Sequence, residues 1–362
     1  MITIFLNKLV IAGFWLDYGV SVIKCNRFIF SFLFLSTIMS FNLSYASKIV
    51  GLVQVRNEED IIGTCLKALA LYTDAIVVFL DGSTDRSTNI IKSLQKELKI
   101  EAIIEEQSSG WQYRTEAANR NRLIKAARAI GGTHFICLDA DEILSAQCAK
   151  NNWLRNKLLS MRKGELLHLT LLNLWKGFKQ YRADRTGGDP SMVYCSVLMC
   201  DDGNSLLDED TRRSPNGFIH VGRLPGHIAR AGKDLHMPKE DLKHVVIHLA
   251  YVDWDYYLTK RAWYLCLEKI RLGQFPQNNN SVKKINELYS KRRFFDPTVA
   301  ILKPVDPEWL NYGFFDENIY FKRTANWRKQ QLHDWFKQYG MDFFNQLDFM
   351  TDPLQLINNN KA

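Results

Sequence analysis

Seven cysteines in 362 residues are too few for a disulfide-built scaffold, and none stands at the paired spacings of a zinc site. Proline is sparse as well, nine residues, and no Pro-rich linker, low-complexity tract or internal repeat marks an independent third module. No nucleic-acid fold signature accompanies the formal net charge of +8. The basic clusters Arg212-Arg213 and Lys291-Arg292-Arg293 therefore read as solvated faces, with an anionic partner or a membrane surface as the alternative, and nucleic acid is not the expected substrate.

What is present has the balance of an ordinary globular chain, 46% hydrophobic and 24% charged, long enough for one large domain with appendages. Cys25 lies in an N-terminal segment, which leaves six cysteines in the presumed domain. Cys137, inside "THFICLDADE", reads as a buried small hydrophobe with no electropositive partner implied beside it, and a reduced compartment fits such a thiol inventory.

Residues 1–46 do not read as part of the fold. The apolar run 28–43, "FIFSFLFLSTIMSFNL", follows Lys24 and Arg27 and precedes Ser44 and Ala46, small residues at cleavage positions, so the segment resembles a signal peptide. A second apolar stretch, 9–23, is broken by Asp17, and a membrane anchor or hairpin stands as the other reading.

From Lys48 the pattern alternates. "KIVGLVQV" reads as a strand, and Ile61, Ile62, Cys65, Leu66 and Leu69 follow at helical spacing. "AIVVFL" from Ala75 is the second strand, ahead of a helix marked by Ile90, Ile91, Leu94 and Leu98 and capped by Thr84 or Asp85. "IEAII" from Ile100 is the third, and a helix stopping at Gly131-Gly132 leads to the fourth, "HFICL" from His134. A β-α-β-α-β-α-β order implies a parallel sheet with ligands beyond the carboxyl ends of its strands.

Three acidic loops fall at those ends: Arg56-Asn57-Glu58-Glu59, Asp81-Gly82-Ser83-Thr84-Asp85 and Asp139-Ala140-Asp141-Glu142. Asp139 and Asp141 are two apart, so an extended backbone points both carboxylates to one side, where they repel unless a cation separates them. Magnesium or manganese suits such a pair, and because these ions keep positions for substrate phosphates, a diphosphate substrate is implied.

These residues resemble the family-2 glycosyltransferases of GT-A fold, whose ordered motifs are matched by "RNEED", "LDGSTD" and "DADE", with "RNRLI" at 120–124 similar to the family's basic helix ahead of the acidic strand end. The resemblance implies an α/β, Rossmann-like, mostly parallel sheet flanked by helices, followed by a helical C-terminal extension. It implies a donor that is a nucleotide-diphosphate sugar, Mn2+ or Mg2+ as cofactor, and transfer to an acceptor hydroxyl with inversion. Arg56, Asn57, Glu58, Asp81, Arg120 and Asp139 are then the donor-binding candidates, with Glu58 and Asp81 toward the nucleoside and Arg120 near the diphosphate. Asp139, Asp141 and His248 are the metal candidates, His248 because it ends the apolar run "HVVIH", with His244 as its alternate. Leu80 departs from the family, which often carries an acidic residue there. Glu142 either orients the sugar or charges the start of a helix beginning near Ile143.

An acceptor hydroxyl needs a general base, for which Asp208, Glu209, Asp210, Glu240 and Asp241 compete without a sequence reason to choose among them. His220, His227, His236, His244 and His248 cluster without zinc spacing. From Asp253 the chain reads as an aromatic-rich helix.

The expected organisation is 1–46 as signal-like or anchor segment, 47–250 as GT-A catalytic domain and 251–362 as helical extension. The acceptor is a glycan, lipid or protein. The catalytic domain is expected at a membrane in the compartment that supplies nucleotide sugars, with export after cleavage near Ala46 as the alternative. A nucleotide-sugar pyrophosphorylase lacks support, because "RNEED" stands where those enzymes carry a Gly-rich first loop. A GT-A binding protein without transfer activity and a secreted interaction protein are the rival readings.

Overall fold

In the computed structural model the described residues are 47–106, 116–183, 192–209, 223–225, 234–237, 241–272, 280–289, 300–316, 323 and 326–358. The expectations for 1–46, Asp210, Arg212-Arg213, His220, His227, Glu240 and Lys291-Arg292-Arg293 lie outside them. Residues 47–362 form one compact unit.

The chain enters through β1 (Ile49–Val55), α1 (Ile62–Ala70), β2 (Ala75–Asp81), α2 (Ser87–Leu94), β3 (Ile100–Glu106), α3 (Glu116–Ala129) and β4 (His134–Asp139). β1 pairs in parallel with β2 and β4, and β2 with β3. Buried residues alternate between two faces. Val53, Val55, Val78, Leu80 and Leu138 pack with Ile62, Leu66 and Leu69 of α1, whereas Leu52, Val77, Phe79 and Phe135 pack with Leu123, Ile124 and Ala127 of α3. A strand covered on both faces reads as a continuous apolar run, which is what "AIVVFL" is.

The expected helix at Ile143 is instead a strand. β5 (Glu142–Leu144) pairs antiparallel with β10 (Val245–His248), and a 3-10 turn (Ala146–Asn152) and α4 (Trp153–Leu159) follow. Its partner is about a hundred residues away in sequence, so local periodicity could not reveal it. The runs expected to extend the sheet do so as β6 (Leu166–Asn173) and β8 (Met192–Cys200), the latter antiparallel to both β4 and β6. Strands β7 (Gln180–Arg182) and β9 (Asp234–His236) lie between β6 and β10 in the chain. The sheet runs β3-β2-β1-β4-β8-β6-β10-β5, with β9 beside β6.

β6 pairs in parallel with β10. Because β8 reverses the direction between β4 and β6, the last residues of β2, β4, β6 and β10 share one edge: Asp81, Asp139, Asn173 and His248. That edge is where a mostly parallel sheet places its ligand site.

The C-terminal part is helical, as expected: α5 (Trp254–Leu272), α6 (Asn280–Tyr289), α7 (Asn326–Tyr339) and α8 (Pro353–Asn358), with β11 (Leu302–Pro304) pairing β7. These helices build their own core from Trp263, Cys266, Leu332, Phe336 and Phe344. Among the described residues no helix is long and apolar enough to cross a membrane.

Candidate active site

The first two acidic loops are laced together. Asn57 takes a left-handed backbone, φ 52°, which Asn tolerates. Its Oδ1 accepts from Thr84 N at 2.6 Å and its Nδ2 donates to Thr84 Oγ1 at 3.2 Å, while Ser87 Oγ accepts from Glu58 N at 2.8 Å. Asp85 accepts from Ser87 N at 2.9 Å at the start of α2, whose N-cap is Arg86. Asn57 thus spends its amide on holding the loop.

That lacing fixes Glu58, whose side chain is 8% exposed. Its carboxylate accepts from Arg323 and, at 3.3 and 3.5 Å, from the Tyr256 hydroxyl, with Arg328 at 3.8 Å. Arg56 stands 3.9 Å from Asp81, and its guanidinium carbon is 5.7 Å from the ring centre of Trp327. Leu80 is 3% exposed in the core under α1, so the departure from the family pattern falls on an apolar, inward-facing position.

Asp139 and Asp141 receive different cations. Arg120, from α3, donates to Asp139 Oδ1, to Glu116 at 2.9 Å and to Cys137 Sγ at 3.3 Å. Cys137 therefore does have an electropositive neighbour, contrary to the sequence expectation, yet burial pushes its thiol up. Arg223 donates to Asp139 Oδ2 at 3.0 Å and to Glu142 at 2.5 Å. Burial alone would raise the Asp139 carboxyl, but Arg223 and Arg120 hold it well below the carboxylate range. Glu142 is 1% exposed and moves upward, because burial outweighs Arg223. Its Oε2 also accepts from Asp139 N at 3.1 Å, bracing the turn.

Asp141 faces Lys260 Nζ at 2.7 Å and His248 Nε2 at 3.7 Å. Against the burial penalty, these two hold its carboxyl well below the usual range, and Asp141 in turn raises Lys260 and His248. His248 Nδ1 donates to Asn173 Oδ1 at 2.8 Å, which turns Nε2 toward Asp141.

The remaining candidates lie elsewhere. Asp241 precedes β10, at the opposite end of that strand from His248, and accepts from its neighbour His244 Nδ1 at 3.0 Å; His244 stacks on Trp153 with ring centres 3.5 Å apart. Neither is at the carboxyl edge that holds Asp139 and His248. Asp208 is exposed, and Glu209 accepts from Asn121 of α3 at 2.9 Å, which ties its loop beside the helix. Sequence reasoning missed Arg223, Tyr256, Lys260, Arg323 and Arg328; only the one-turn spacing of Tyr256 and Lys260 in the helix after His248 offered a signal.

Residues 52–151 match the family model of glycosyl transferase family 2. No curated protein sequence matches the chain. Among solved structures, TarS 1-349 of S. aureus is similar at 14% identity over 83% of each chain, TM-score 0.36. The mannosyltransferase PcManGT from Pyrobaculum calidifontis, in complex with GDP-Man and Mn2+, is similar at 14% identity over 68% of this chain and 70% of that one, TM-score 0.33. The matched segment holds all three acidic loops and the strands that present them, and over those residues the chain is similar to glycosyl transferase family 2.

Proposed function

We propose that the carboxyl edge binds a nucleotide-diphosphate sugar and that the chain transfers its sugar, with inversion, to an acceptor hydroxyl. The observation that carries this reading is the gathering of Asp81, Asp139 and Asp141 at one sheet edge within the family-matched segment, with Arg120, Arg223 and Lys260 among them. Cations at the edge suit phosphate oxygens, and carboxylates already held charged suit ribose hydroxyls or a metal ion.

A divalent ion fits the donor set of Asp141 and His248. Nε2 of His248 faces Asp141, and its Nδ1–H is fixed by Asn173, the outer support that ligating histidines have. A mixed nitrogen and oxygen set favours Mn2+ over Mg2+. Among the described residues no group of three or more His, Cys, Asp or Glu is arranged around an ion, so phosphate oxygens and water would fill the other positions. Such an ion would neutralise charge on the departing diphosphate. Asp139, capped on both oxygens by arginines, positions Arg120 and Arg223 rather than serving as a ligand.

A buried aromatic cluster begins beside His248. Tyr251 meets His248 edge-on with ring centres 5.6 Å apart, and Trp175, Trp254 and Tyr257 continue the cluster. Trp175, Tyr251 and Tyr257 are buried against one another, so these rings brace His248.

The test is donor hydrolysis or transfer by the full chain with a panel of nucleotide sugars and Mn2+. Turnover of one donor, reduced by about two orders of magnitude or more in Asp141→Ala, is expected. Equal turnover by wild type and Asp141→Ala would refute the assignment.

A further inference from the structure

Arg323 is buried at the sheet edge in an arrangement that a structural ion pair alone does not explain. Its side chain is 1% exposed, and only Nη2 reaches Glu58; among the described residues Nε and Nη1 have no hydrogen-bond partner. A guanidinium placed only to pin the C-terminal part against Glu58 would satisfy its fork on that carboxylate. Leaving its N–H donors buried and unmet is costly, and Glu58, the partner of Nη2, follows β1 at the carboxyl edge of the sheet.

The neighbours hold this group in place. Its guanidinium carbon lies 3.7 Å from the ring centre of Tyr256, whose hydroxyl donates to Glu58 and accepts from Arg328. Tyr256 and Lys260 project one turn apart from α5, and Lys260 takes Asp141 Oδ2 at 2.7 Å. Both Lys260 and Arg323 lie in the fields of Glu58 and Asp141.

Resting on the reading that this edge takes a nucleotide-diphosphate donor, we propose that Arg323 and Lys260 form a protein-borne cationic clamp for the donor's diphosphate, with Glu58 positioning Arg323 instead of reading the nucleoside. The fork of Arg323 takes two phosphate oxygens, and Lys260 adds a point charge beside Asp141. The clamp works without a metal, so diphosphate recognition survives chelation, weakened but present.

Isothermal titration of the full chain with UDP, GDP, ADP and CDP and the matching monophosphates, in Mn2+ and then in excess EDTA, tests this. In EDTA the preferred diphosphate should bind wild type more tightly than its monophosphate. Arg323→Gln and Lys260→Gln should each weaken the diphosphate roughly ten- to hundredfold and leave the monophosphate unchanged. Arg323→Lys keeps the charge against Glu58, so it should melt like wild type and still lose diphosphate affinity. Diphosphate binding to wild type only with Mn2+, or folded Arg323→Lys and Lys260→Gln variants with wild-type affinity, would overturn the clamp while leaving the donor site standing. No diphosphate binding even with Mn2+ would overturn the donor site and the clamp with it.

Discussion

A carboxylate withdrawn from water keeps its charge only where cations replace its hydration, and the two aspartates of "DAD" solve this differently. Asp139 is held by two arginines from distant parts of the chain, and Asp141 by a lysine and a histidine. Removing Arg223 strands Glu142, buried at 1% exposure, with Asp139 beside it. Arg223→Met should therefore cost about 3 kcal/mol of stability, read as a lowered urea midpoint; an unchanged midpoint would mean that the pair is not buried in solution. Asp141 gives a pH test. Its native pKa is depressed, so its contribution is complete above the unfolded value of about 4 and is lost as pH falls toward the native one. The melting temperature of wild type should fall more steeply below about pH 4 than that of Asp141→Asn. The acidic residues were legible because strand ends announce themselves in sequence. Of their partners, Arg120 and His248 were legible too, but Lys260, 119 residues from Asp141, and Arg323, 265 from Glu58, were not.

At the scale of elements, the end of α3 aligns two parts of the site, since Arg120 lies within the helix and β4 begins three residues after Gly131. Gly131 takes φ +81°, and Gly132 N donates to Ala127 O at 2.8 Å, closing the helix as the Gly-Gly stop suggested. A Cβ on Gly132 would stand 2.7 Å from the Ala127 carbonyl oxygen and 2.8 Å from Val50, so backbone must move. Gly132→Ala should destabilise by about 1–3 kcal/mol in urea, and a neutral result would show that this turn yields. The first four strands and their helices were readable because each is long and periodic. β5 was misread as a helix because three residues carry no period, and its identity rests on β10.

For the molecule as a whole, the helical C-terminal part supplies the Tyr256, Lys260, Arg323 and Arg328 that close over the acidic edge of the sheet, while keeping a core of its own. Trp263 centres that core, 1% exposed, with its indole N–H donating to Gln331 at 2.7 Å. Trp263→Ala should cost about 3–5 kcal/mol, and in calorimetry it should also weaken nucleoside diphosphate binding, since α5 and α7 carry Lys260 and Arg328. Loss of stability with unchanged affinity would uncouple the helices from the site.

The donor site is tested most directly by melting of the full chain with a panel of nucleoside diphosphates and Mn2+, in wild type and Asp141→Ala. At a hundredfold excess over its dissociation constant a ligand stabilises the native state by about 2.7 kcal/mol, which a melting curve resolves. One diphosphate should raise the melting temperature, more with Mn2+ than without, and Asp141→Ala should lose the Mn2+ increment. A folded wild type that no diphosphate stabilises, with or without Mn2+, would contradict the account.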